Sequence, residues 1–221
     1  MQHPSGLPFL LPKAKALGIA TTSAYDLNSL ESWGRVLGVY DAPSETTHGE
    51  RLFTFGLVMA KRPERVLEIG FRFGGNSFLM SCALEDVGRG SLVALDPYPE
   101  SVLDFTRFGD RFSLIRGRSP EDVPRAVAAL GGRVDLCFLD GDHSYSAVRK
   151  DLEAIDRHMA DESYILMHDA TYPAVQRATD EFLAERAPRI VDCGLVCPSV
   201  TADGWSGLRL LRVIEGVGQT D

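Results

Sequence analysis

Arg65-Val66-Leu67-Glu68-Ile69-Gly70-Phe71-Arg72-Phe73-Gly74-Gly75-Asn76-Ser77 is the stretch whose reading decides the fold. It opens as a short β-type run with Val66, Leu67 and Ile69 as its apolar residues, and Gly70 stops it. From Ser77 to Leu84 the sequence reads as a helix. A strand that ends in glycine and feeds a helix is the first unit of an alternating α/β chain. The turn between them is Glu-x-Gly-x-x-x-Gly-Gly, wider than the Gly-x-Gly-x-x-Gly of a dinucleotide turn. Gly70, Gly74 and Gly75 allow the backbone to pass close to a ligand. Glu68, two residues before the first glycine, would repel a pyrophosphate and tolerate a cationic amino-acid ligand. Taken alone, these glycines also suit a plain strand-to-helix turn.

Downstream the alternation continues. Strands are expected at Ser91–Asp96, Phe112–Arg116, Val134–Asp140 and Ser163–Met167, and helices at Glu121–Leu130, Ser144–Met159 and Val175–Glu185. Nearly continuous apolar strands of this kind belong to a parallel sheet covered on both faces, joined by right-handed crossovers. The last two β segments, Ile190–Val196 and Gly207–Val213, flank Asp203-Gly204 and are expected to pair as an antiparallel hairpin. Upstream, Thr47-His48-Gly49-Glu50 opens a helix that Pro63 helps to end. Residues 1–45 are punctuated by Pro, Gly and Ser, with one helix expected around Leu27–Leu37. They are read as a small N-terminal cap on a domain spanning 46–221. The expected fold is α/β: a Rossmann-like, doubly wound, mostly parallel seven-stranded sheet with a C-terminal antiparallel hairpin.

Composition narrows the partners. The 221 residues suit one domain with a short cap, and 44% hydrophobic with 24% charged residues is ordinary globular usage. The formal charge of −8, from 23 Lys+Arg against 31 Asp+Glu, is a poor match for a phosphate backbone, so nucleic acid is not expected as a partner. The four cysteines form no disulfide framework, and Cys193 and Cys197 lack a second Cys or His pair to complete a zinc site. The apolar run Leu7–Leu11 is broken by Pro8 and Pro12, too short for a secretory segment or a membrane span. A cytoplasmic protein with no membrane partner is the expectation.

In parallel sheets ligands sit beyond the carboxyl ends of the strands. The residues placed there are Glu68 and Gly70, Asp96, Ser119, Asp140, and the pair His168-Asp169. Asp96 ends the second strand, where a carboxylate can accept hydrogen bonds from both hydroxyls of a ribose. Ser119 could cap the next helix or touch an adenine edge.

The ordered set VLEIGFRFGG, VALDPYP, GRSPEDVP, FLDGDHSYSAVRKDLEAI and ILMHDA resembles class I S-adenosylmethionine-dependent methyltransferases. Within them it is most similar to the group of catechol, caffeoyl-CoA and macrolide-sugar O-methyltransferases. The resemblance covers roughly residues 46–215 and implies S-adenosyl-L-methionine as cofactor. It places Glu68 and Gly70 at the methionine end, Asp96 at the ribose and Ser119 near the adenine. Gly74, Gly75, Asn76 and Ser77 complete the cofactor loop, with the ligand contact open between Asn76 and Ser77. Asp140 would border the cofactor and the chemistry.

Asp140, Asp142 and His143 end the fourth strand, and His168 and Asp169 end the fifth; neighbouring strands lie about 5 Å apart, so these groups can converge. Clustered carboxylates repel each other unless a cation or a shared proton intervenes. The functional reading is O-methylation of a small hydroxylated acceptor. Asp140 and Asp169 would hold Mg²⁺ or Mn²⁺, His168 would join them for a softer ion, and His143 would act as general base. His143 also suits a helix-orienting role, and His168 could replace it as the base. Asp142 is expected to face solvent or the helix N-terminus. Adjacent strand residues point to opposite faces, so His168 and Asp169 meet at one point only if the chain bends there. A metal-independent methyltransferase and an inactive nucleoside-binding module are the competing readings. The oligomeric state, including a homo-oligomer, stays open.

Overall fold

The structure is a computed structural model that describes residues 44–198 and 206–214. The cap helix expected around Leu27–Leu37 and the Asp203-Gly204 turn lie outside the described residues. Seven strands form a single sheet: β1 (Arg65–Ile69), β2 (Ser91–Asp96), β3 (Phe112–Arg116), β4 (Val134–Leu139), β5 (Met159–Met167), β6 (Ile190–Cys197) and β7 (Leu208–Val213). Their order is β3-β2-β1-β4-β5-β7-β6. β1 to β5 pair in parallel, and β7 runs antiparallel between β5 and β6. The order reverses between β1 and β4, which makes the topological switch point where open α/β sheets bind ligands.

Helices cover both faces. The first is α1 (His48–Lys61), followed by α2 (Gly75–Val87), α3 (Val123–Leu130), α4 (Tyr145–Asp156) and α5 (Pro173–Arg186). Strand residues alternate between two cores. Leu67, Ile69, Val93, Leu95, Cys137 and Leu139 pack toward α3, α4 and α5. Val66, Leu92, Ala94, Leu136, Phe138 and Leu166 pack toward α1 and α2. Among the described residues no helix is long and apolar enough to cross a membrane.

Local chemistry sets the element ends. Thr47 is the N-cap of α1, with a capping box closed by Glu50. α4 ends at Asp156, three residues before the expected Met159, because His158 turns back to pair its carbonyl with the Val134 amide. β5 therefore begins at Met159 rather than Ser163, and its register slips between the Val134 and Leu136 pairings. Glu162, with φ of +59°, marks that irregularity.

Candidate active site

The period-two alternation of the strands gathers the polar strand ends on one face. Glu68 pairs in register with Ala94 and Phe138, and Phe138 with Leu166. Two residues further on come Gly70, Asp96, Asp140 and His168, on the face that α1 and α2 cover. Past these ends lies a cavity of 540 Å³, lined by Gly70, Asp96, Ser119, Asp140, His143 and Asp151 among others. Small-ligand cavities commonly measure about 300–1,000 Å³.

Gly70 sits at φ +92°, and a Cβ there would lie 1.8 Å from the Asp140 carbonyl oxygen. Only glycine lets β1 and β4 end this close together. Gly74, at φ +82°, is the N-cap of α2, and a Cβ on it would strike the Phe71 ring at 2.6 Å. The Asp96 carboxylate organises the same turn: it accepts the Phe71 and Arg72 amides at 2.9 Å each and the Tyr98 amide at 2.6 Å. Asp96 thus fixes the loop while bordering the cavity.

Glu68 and Ser77 hydrogen-bond to each other in the core, and neither is among the residues lining the cavity. Burial pushes the Glu68 carboxyl well above its usual range; the Ser77 hydrogen bond opposes this, and the charges of Asp140 and Asp96 add to it. Of the residues following Gly74, Gly75 and Asn76 line the cavity. The Asn76 amide oxygen also accepts the Thr46 hydroxyl at 3.1 Å, tying α2 to the lead-in of α1.

At the β4 and β5 ends, Asp140, His143 and Asp169 each offer a donor atom, all within 4.8 Å of one another. The bend that alternation requires is present, because Asp169 adopts φ +47° and brings its carboxylate to the face of His168. Aspartate tolerates this left-handed conformation better than most residues. The His143 Nε2 lies 3.5 Å from Asp140 Oδ1 and 3.2 Å from Asp169 Oδ2. The hydrogen bond to Asp140 raises the His143 pKa; partial burial opposes this, and the charges of Asp169 and Asp140 support it. Asp142 points away, exposed, and accepts the Ser144 amide at 2.7 Å.

His168 is buried and faces the same carboxylates, with Nδ1 at 3.0 Å from Asp140 Oδ1 and 3.2 Å from Asp169 Oδ2. Its Nε2 lies 3.5 Å from Glu50 Oε2 on α1. Burial alone would favour a neutral ring, but the charge of Asp140, its hydrogen bond with Nδ1, and the nearby carboxylates of Asp169 and Glu50 strongly favour imidazolium. Burial likewise works to raise the Asp140 pKa, and the charge of His168 with hydrogen bonds from His143 and His168 holds it well below the carboxylate range.

Two participants lie outside the sequence reading. Glu50 is fully buried and accepts the Ser206 hydroxyl at 2.6 Å and the Gly207 amide at 2.7 Å, besides facing His168. Its capping-box spacing from Thr47 was the signal available, and that accounts for its helix role alone. Asp151 on α4 is buried and accepts the Ser119 hydroxyl at 2.5 Å at the edge of the cavity. Its place three residues after Val148, on the buried side of an amphipathic helix, was a signal, since an acid there needs a partner.

Comparison with known proteins fits this arrangement. Residues 67–170 match a family model described as a methyltransferase domain. A cofactor-bound structure of Rv0187 from MTB superposes with a TM-score of 0.62 at 20% identity, covering 97% of this chain and 100% of that one. The O-methyltransferase TomG from Streptomyces achromogenes, involved in tomaymycin synthesis and solved with SAM, gives 0.60 at 16% identity over 84% of this chain and 90% of its own. An O-methyltransferase from Bacillus cereus in complex with SAH gives 0.61 at 16% identity, over 89% and 94%. A search of curated proteins found no match. The chain shares the Rossmann-like fold of these solved structures, and its residues 67–170, from β1 to just past β5, match the methyltransferase-domain model.

Proposed function

We propose that the protein binds S-adenosyl-L-methionine and transfers its methyl group to a hydroxyl oxygen of a small acceptor. The observation that carries this reading is His143 at the cavity rim, its Nε2 held by Asp140 and Asp169. A base needs a carboxylate partner that fixes its tautomer and stabilises its imidazolium form. With Nε2 committed to the carboxylates, Nδ1 is the nitrogen that takes the proton.

In the transfer, the acceptor oxygen attacks the sulfonium methyl carbon in line. The carbon–oxygen bond forms as the carbon–sulfur bond breaks, and the hydroxyl proton passes to His143. The products are S-adenosylhomocysteine and a methyl ether, and His143 then returns its proton to water. The S-adenosylmethionine reading draws support from Asp96 at the ribose position and Ser119 beyond it, both bordering the cavity. The net charge of −8 agrees with a small-molecule acceptor rather than nucleic acid.

The donor set of Asp140, His143 and Asp169 suits a divalent cation. Mg²⁺ would draw on the two carboxylates, and Mn²⁺ also accepts imidazole. Such an ion would lower the pKa of the acceptor hydroxyl. A metal-independent reaction is the second reading, and the specific observation favouring it is His168, which already places an imidazole nitrogen against both carboxylates.

The test is transfer of labelled methyl from S-adenosylmethionine to a panel of phenols, catechols and sugar hydroxyls, with added Mg²⁺ or Mn²⁺ and with a chelator. His143→Ala is expected to lower kcat by about 10²–10⁴ while cofactor affinity holds. Full turnover by His143→Ala would remove it as the base. Turnover unchanged by chelation would select the metal-independent form.

A further inference from the structure

Asp140 Oδ1 and Asp169 Oδ2 are each shared by two imidazoles. His143 Nε2 faces them at 3.5 and 3.2 Å. His168 Nδ1 faces the same two atoms at 3.0 and 3.2 Å. The carboxylates that hold the base are thus themselves held from behind by His168. Two carboxylates this close repel each other unless a donor stands between them. Whether His168 supplies that donor depends on how its ring is turned.

A half-turn of an imidazole about its Cβ–Cγ bond exchanges Nδ1 with Cδ2 and Nε2 with Cε1. The turned ring has nearly the same shape, so packing does not choose between the two; polar partners do. In the turned ring a carbon would face Asp140 and Asp169, and their bridging donor would be lost. The group that chooses must stand at the far side of the ring. His168 is buried there, and among the described residues its Nε2 has no hydrogen-bond partner. The carboxylate facing that nitrogen is Glu50, with Oε2 3.5 Å away. Glu50 is itself fixed: its Oε1 accepts the Ser206 hydroxyl and the Gly207 amide, and its Oε2 accepts the Thr47 amide at 2.7 Å. It is fully buried on α1 and is not among the residues lining the cavity, so any effect it has on the chemistry passes through His168.

We infer that Glu50 is a positioning residue for the methyl transfer: from α1 it sets the His168 ring so that Asp140 and Asp169 stay together around Nε2 of His143. This inference rests on the reading of His143 as the base and assigns the group that keeps it in place. Without Glu50 the His168 ring can turn, the two carboxylates separate, and His143 loses the partners that fix its orientation and tautomer.

The experiment compares the full chain with Glu50→Gln and Thr47→Ala, by methyl-transfer kinetics and by nitrogen-15 spectra of the histidine rings in chelator-treated protein. In Glu50→Gln the amide oxygen still accepts from Ser206 and Gly207, but an NH₂ group replaces the oxygen that faces His168. This variant is expected to lower kcat by about 10–100-fold, the size of a misplaced catalytic group. Its S-adenosylhomocysteine affinity and acceptor KM should stay within about twofold. In buffer alkaline enough to leave His143 neutral, the wild type should show His143 as a single Nε2–H tautomer and Glu50→Gln a mixture. Thr47→Ala removes the cap hydroxyl of α1 but not the Glu50 carboxylate, so it should lower stability and leave both kcat and the His143 signal unchanged. An unchanged kcat or an unchanged His143 signal in folded Glu50→Gln overturns the inference, as does an equal loss of kcat in Thr47→Ala. Should Glu50→Gln not fold, Glu50→Asp decides: it draws the charge back from His168 by one methylene, and unchanged kcat and His143 signal there overturn the inference. Wild type that transfers no methyl to any acceptor would instead overturn the proposed function, while the His143 spectra still decide the role of Glu50.

Discussion

His168 Nδ1 lies 3.0 Å from Asp140 Oδ1, across neighbouring parallel strands. This contact links the β4 and β5 ends at the centre of a charged cluster. Three carboxylates, Glu50, Asp140 and Asp169, stand within 3.5 Å of the His168 ring nitrogens. The cluster also ties α1 and the residues leading into β7 to the site, because Glu50 accepts from Ser206 and Gly207.

Removing Glu50 should therefore cost more than a helix cap. Glu50→Ala leaves the Ser206 hydroxyl, the Gly207 amide and the inner side of His168 without their acceptor. Breaking a buried charged pair by deleting one partner costs about 3–5 kcal/mol, whereas loss of a cap alone costs about 1 kcal/mol. Urea denaturation should show a loss of that larger size. A loss near 1 kcal/mol would mean that Glu50 serves as a cap alone.

The two glycines Gly70 and Gly88 separate backbone strain from close approach. Both have positive φ, +92° and +78°, but a Cβ on Gly88 meets nothing within 4 Å while one on Gly70 meets the Asp140 carbonyl at 1.8 Å. Gly88→Ala should cost about 1–2 kcal/mol from the left-handed conformation. Gly70→Ala should cost several kcal/mol and displace Asp140, weakening cofactor binding as well. Equal stability losses in the two variants would contradict the close-approach role of Gly70.

Burial raises the Asp151 pKa from 3.8 to about 6, helped by the charges of Asp142 and Glu121 and opposed by the Ser119 hydrogen bond. The folded state thus binds this proton more tightly than the unfolded state. Its contribution to stability is complete below pH 4 and is lost as pH rises through about 6. Asp151→Asn keeps the shape of the neutral form, so it should match the wild type near pH 4 and exceed it at pH 7.5 by up to about 3 kcal/mol. Urea midpoints at the two pH values check this. A difference that does not vary with pH would show that Asp151 carries no such linkage.

Most of the fold was legible because burial on both faces leaves a strong apolar signature. Val66, Leu67 and Ile69 announce β1, and Leu136 to Leu139 announce β4, with bounds that agree to within a residue. The start of β5 was not legible. Ala160, Asp161 and Glu162 read as polar loop, but they lie at the far end of the strand from the site, where backbone pairing needs no apolar side chains. Strand ends identified Asp140, His143, His168 and Asp169 as neighbours: register carries Asp140 and His168 to one face, the loop after β4 returns His143 to it, and the bend at Asp169 adds its carboxylate. Glu50 escaped that logic: it precedes His168 by more than a hundred residues and reaches it only through the packing of α1 on the sheet. The positive φ of Asp169 was equally hidden, because Asp adopts it without a glycine to mark the turn.

The central claim is that the cavity at the β1–β4 switch point binds S-adenosylmethionine. Calorimetric titration of chelator-treated protein with S-adenosylmethionine and S-adenosylhomocysteine, each with and without Mg²⁺ or Mn²⁺, tests it directly. The account predicts saturable binding of both ligands, with dissociation constants on the order of micromolar, about −8 kcal/mol. Absence of binding heat under every condition, in protein shown to be folded, would contradict it.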